Sequence, residues 1–181
     1  MRTLTEKYFG GLPLEKEEYE ADFAVVDKYQ SFSAELLRLS LLGLAGYGFL
    51  IANIVLKATS SAQGEVLLRI FLQTSTIFVL SIGAVALGIA SATALGHRYF
   101  ATDCITHFVR RLRAGKRYDA LPEGDTNRAA LAQVVMHEQW SLEKDVRLCR
   151  WLLISASLFL IIGAACVALS FASTLFGARL S

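Results

Sequence analysis

Residues Val66 to Gly96 read VLLRIFLQTSTIFVLSIGAVALGIASATALG, about thirty residues whose one charge, Arg69, stands near the start. As an α-helix rising ~1.5 Å per residue the stretch reaches roughly 45 Å, more than the ~30 Å hydrocarbon core of a bilayer, so it crosses with tilt and projects beyond. Two more runs, Leu36 to Leu56 and Trp151 to Phe176, share its length and low charge. Three such runs predict an all-α integral membrane protein. The expected division is an arm and amphipathic helix over 1–35, transmembrane helices over 36–57, 66–96 and 151–176, a helical hairpin over 97–150, and a tail over 177–181.

The central helix has two unlike sides. Advancing about 100° per residue, Gln73, Thr74, Ser81, Ala84, Gly88, Ser91 and Ala92 fall within one sector roughly a third of the circumference wide, while Phe71, Phe78, Ile82, Val85 and Ile89 fall on the adjoining side. Lipid solvates large apolar side chains as well as protein does, so the small and hydroxylated side is expected to face protein. The sector is therefore assigned to helix packing or, in an assembly of several copies, to lining a water-filled path. Ala164, Ala168 and Ala172 on the third span are expected to pack against it.

Composition agrees with this class. Hydrophobic residues make up 54% and charged residues 19%, against ~45–50% and ~25% in ordinary soluble domains. A net charge of +2 argues against nucleic acid as a partner. Cys104, Cys149 and Cys166 contain no CxxC pair and are expected to be reduced thiols acting as small hydrophobes. Met1 to Glu35 is acidic and lacks a short apolar core with a cleavage site, so the first span is expected to serve as an uncleaved anchor.

Before the first span, Tyr19, Phe23, Val26, Tyr29, Phe32 and Leu36 recur at three- and four-residue steps between acidic residues. A surface helix on anionic lipid is usually basic on its polar face, so this acidic one is expected to pack on protein. Asn53, the strongly polar group of the first span, is expected to hydrogen-bond near the interface, and Glu65 and Arg69 to form a local pair. The segment from His97 to Arg150 holds ten Lys and Arg, the short first loop Lys57, and the tail Arg179. The positive-inside rule then predicts a cell membrane location with a cytoplasmic N-terminus and an external C-terminus.

In the long segment, Phe100, Cys104, Phe108 and Leu112 form one stripe and Leu131, Val135, Leu142, Val146 and Cys149 another, separated by AGKRYDALPEGDT. Gly115, Pro122 and Gly124 are stops, and Asp125 or Thr126 can cap the returning helix. Two membrane helices thus continue inward as an antiparallel pair, and the N-terminal helix supplies a third member of a cytoplasmic bundle. Charge favours that docking: residues 1–35 hold four basic against eight acidic residues, whereas 97–150 hold ten against seven.

Fold-back would bring Asp103, Cys104 and His107 near His137 and Glu138, residue types that bind transition metals. The spacing lacks a paired-ligand motif such as HExxH, and helix pairing accounts for the neighbourhood, so no metal and no cofactor is expected. A nucleophile elbow, a phosphate-binding glycine loop and paired intramembrane carboxylates are all missing, which predicts a protein that is not an enzyme. Arg110, Arg111, Arg113, Lys116 and Arg117 form a basic cluster near the hairpin tip. They are the candidate residues for a cytoplasmic protein partner, with the acidic N-terminal helix as the intramolecular competitor.

Two small-residue spans offer more packing surface than three helices use. Self-association in the bilayer is therefore the first functional expectation, with a channel-like assembly gated by the cytoplasmic helices as its form. The alternative is a non-conducting membrane anchor, immunity or accessory subunit that binds another protein.

Overall fold

The computed structural model describes residues 19–58 and 74–180. Among them are three helices and no strand: α1 (Glu20–Ala58), α2 (Thr74–Ala120) and α3 (Thr126–Leu180). They are 39, 47 and 55 residues long, each well beyond the ~20 residues that cross a bilayer. All three are long and apolar enough to span a membrane, which marks a multi-pass membrane helical protein. Glu65, Arg69 and Gln73 lie outside the described residues.

The chain separates into two compact units. Unit 1 takes 19–31 and 96–151 of the described residues, and unit 2 takes 32–58, 74–95 and 152–180. In unit 2 many large apolar side chains point outward. Leu42, Phe49, Phe78, Val85, Ile161 and Leu169 are all exposed, the inverse of a water-soluble bundle and the arrangement lipid accepts.

What faces inward is a row of mostly small residues. Along α2, with Ala86 buried beside it, a row of buried positions runs through Thr76, Leu80, Gly83, Leu87, Ala90 and Ala94 in unit 2 and through His97, Ala101 and Cys104 in unit 1. Their spacing alternates between four and three, the 3.5-residue period of a left-handed coiled-coil seam. On α3, Leu153, Ala156, Leu160, Gly163, Val167 and Ser170 repeat the same steps, the smaller ones fully buried and Leu153, Leu160 and Val167 partly so.

Glycine is required where these rows meet. A Cβ on Gly83 would stand 2.9 Å from Cys166 Cβ and 3.3 Å from the Tyr47 hydroxyl. One on Gly163 would stand 2.6 Å from Leu87 Cγ and 3.3 Å from the Gly83 carbonyl oxygen. Leu87, 1% exposed, fills the space these glycines leave, and the Cβ position of Gly43 on α1 lies 3.0 Å from one of its methyls. Two hydroxyl contacts add direction: Ser40 and Ser91 stand 2.8 Å apart, and the Tyr47 hydroxyl donates to the Leu80 carbonyl. Asn53, by contrast, donates to the Phe49 carbonyl of its own helix at 2.9 Å.

Two of the three small residues singled out on the third span sit elsewhere, and Ala172 is partly buried. Ala164 and Ala168 are exposed, one position away from the buried row at Gly163 and Val167. In unit 1 the turn between α2 and α3 is tight. Gly124 has φ +112°, a left-handed conformation that glycine adopts without strain. Of the two candidate caps it is the Asp125 carboxylate that accepts from the Asn127 amide at 2.8 Å.

Overpacking a close helix contact costs about 1–3 kcal/mol. Gly83→Ala and Gly163→Ala are therefore expected to lower unfolding stability in micelles by that amount. Gly46→Ala, where a Cβ meets nothing within 4 Å, leaves stability unchanged or slightly raised.

Candidate functional site

Two places in the molecule gather chemistry. The first is the α2–α3 pairing of unit 1. Phe100, Ala101, Cys104, Leu142 and Cys149 form its apolar centre, and the Cys104 and Cys149 sulfurs lie 3.8 Å apart. Both thiols are buried and free. The hydrogen bond with Cys149, burial and the negative charges of Cys149, Asp145 and Asp103 push the Cys104 thiol well above its ordinary range.

Further along α2, His107 reaches across to α3 with both ring nitrogens. Its Nδ1 donates to Glu138 Oε2 at 2.5 Å, and its Nε2 lies 3.7 Å from Asp145 Oδ2. Glu138 and Asp145 are seven residues apart, two turns along one face, so one imidazole spans two acids. Asp103 is partly buried and His137 is exposed. Among the described residues no group of three or more His, Cys, Asp and Glu is placed to hold a metal ion.

The N-terminal part of α1 meets this unit through aromatic rings. Tyr19 and Phe23 both approach Phe108 edge to face, at 6.0 and 6.1 Å between centroids. Lys116 lies 5.9 Å above the Tyr19 ring, a cation–π distance. The basic cluster is therefore not one surface: Arg113 is buried, Arg111 and Lys116 are partly buried, and Arg110 and Arg117 are exposed. The charge count that suggested docking did not reveal these rings. The aromatic positions in the three- and four-residue stripe were the available signal.

The second place is the small sector of α2. It divides: Ala84 packs with Tyr47, Leu80 and Leu87, and Ser91 meets Ser40. Ser81 and Ala92 are exposed, and at Gly88 an added Cβ would meet nothing within 4 Å. Thr74 is the first residue of α2. The row that packs within the chain, from Gly83 to Ala94, stands roughly opposite Ser81, Gly88 and Ala92 at about 100° per residue. This outward line is small where its neighbours Phe78, Val85 and Ile89 are large.

The chain matches no protein-family model, no curated protein and no solved structure. Its functional reading therefore rests on these two places alone.

Sequence reasoning missed the Cys104–Cys149 pairing and the role of Asp145. Helix stripes place both cysteines on inward faces, but their juxtaposition depends on the register of α2 against α3. The His107 bracket yields a direct test. Residues sharing one hydrogen-bonded contact couple by about 0.5–3 kcal/mol, so a double-mutant cycle of His107→Ala and Glu138→Ala is expected to return a favourable coupling within that range. Chemical denaturation followed by tryptophan fluorescence measures it, with His137→Ala as the uncoupled comparison.

Proposed function

We propose that this chain is a multi-pass protein of a cell membrane whose copies associate through the outward small line of α2 into a channel-like assembly. The N-terminus lies in the cytoplasm and the C-terminus outside, an orientation supported by the ten Lys and Arg of 97–150. Unit 1 of each copy then stands on the cytoplasmic side, as the part through which the assembly is gated.

The observation that carries this reading is the open notch at Gly88, flanked by exposed Ser81 and Ala92 on the side away from the intrachain seam. Small residues let another backbone approach closely, and a hydroxyl finds partners in a neighbouring helix or in water that acyl chains cannot offer. Gly88 is also a clean position to probe, because an added Cβ there meets nothing within 4 Å in its own chain. The exposed Arg110 and Arg117 support a second reading, in which unit 1 binds a cytoplasmic protein and the assembly does not conduct.

The mass of the protein in lipid nanodiscs tests the proposal. The expected result is a ring of four or more copies, reduced to smaller species by Gly88→Leu with helicity retained. An unchanged mass in that variant overturns the assignment of the interface. Ion flux into vesicles, lost on changing Ser81 while assembly persists, separates the channel from the non-conducting reading.

A further inference from the structure

The pairing of Cys104 with Cys149 is more than a small-residue contact in the seam. The two residues are 45 positions apart, on different helices, with their sulfurs 3.8 Å from one another in the apolar centre of unit 1. A disulfide needs ~2.05 Å between sulfurs, so the atoms must close by nearly half their separation. Both arms lie on one level of the α2–α3 pair, and the small side chain of Ala101 is among their neighbours. Cys166 belongs to unit 2, with its Cβ beside Gly83.

We propose that Cys104 and Cys149 form a dithiol site that a low-molecular-weight disulfide oxidises to a reversible covalent tie between α2 and α3. The chemistry is two successive exchanges. One cysteine loses its proton and attacks a sulfur of the small disulfide, forming a mixed disulfide and releasing one small thiolate, which takes up a proton. The second cysteine loses its proton and attacks the protein sulfur of that mixed disulfide, forming the Cys104–Cys149 bond and releasing the second small thiol. Two protein thiols are oxidised by two electrons, and one small disulfide is reduced to two thiols.

The surroundings set the pace of this reaction. Burial and the carboxylates of Asp103 and Asp145 oppose a thiolate on Cys104, whereas the hydrogen bond from Cys104 lowers the Cys149 thiol. Once one sulfur carries the mixed disulfide, its partner is already in position, and the second step outruns attack by any external thiol. The product closes a loop that contains the whole α2–α3 turn. It holds α2 and α3 of unit 1 against separation or sliding, so the state of the pair depends on the thiol–disulfide balance around it. The site does not rest on how many copies assemble.

The test uses the full chain in nanodiscs, incubated with glutathione disulfide under native conditions, quenched with acid, then denatured and treated with a maleimide. Intact mass is expected to show three labelled cysteines before oxidation and one, Cys166, after it. Peptide mapping is expected to recover a linked Cys104–Cys149 peptide, and dithiothreitol to restore three labels. Cys166→Ser should leave the link intact, whereas Cys149→Ser should abolish it; should that variant fail to fold, the wild-type map and its reversal decide alone. Three labelled cysteines after prolonged oxidation, or links formed only between chains or through Cys166, would overturn the proposal.

Discussion

The close approach of α2 and α3 at Gly83 and Gly163 is the constraint on which unit 2 depends. Each glycine stands where an added Cβ would strike a side chain of a neighbouring helix, and each lies near the other's carbonyl oxygen. Leu87 occupies the room that Gly43 and Gly163 leave. In a bilayer the gain from burying apolar surface largely vanishes, since lipid tails are as apolar as leucine. Van der Waals contact between closely fitted backbones and a few hydroxyl bonds must then supply the specificity. The Ser40–Ser91 and Tyr47–Leu80 contacts sit beside this fitted region and set which faces meet.

Unit 1 is held differently. Charged side chains meet across α2 and α3, as His107 does with Glu138 and Asp145, and rings rather than small residues bring α1 to it. The buried row of α2 nonetheless keeps its four-and-three rhythm through His97, Ala101 and Cys104. Such a rhythm keeps one stripe of a helix turned to its partners over many turns, because left-handed supercoiling compensates the drift of a straight helix. α2 thus contributes residues to both units.

This division gives each unit its chemistry. In unit 2 the residues not used by the seam form an outward line of small side chains at Ser81, Gly88 and Ala92, which supports association between copies. In unit 1 the seam itself carries titratable groups, with two thiols and an imidazole set into the helix pair. A change there acts on α2 and α3 directly, since the same side chains hold the helices together.

The sequence by itself determined the class, the number of apolar spans and the position of the turn. Length and lack of charge are properties of a segment alone, and Gly124 and Asp125 act within a few residues of themselves. Tertiary structure decided which face of each helix meets protein. On α2 the small and hydroxylated sector drew attention to Ser81, Gly88 and Ala92, whereas the chain packs through Gly83, Leu87, Ala90 and Ala94. Hydropathy offers no contrast around a helix that is apolar on every side. The seam is marked instead by fit, with a large leucine placed among glycines and alanines, and fit exists only between surfaces. The meeting of Cys104 with Cys149, and of His107 with Asp145, follows from the same register, which no single helix contains.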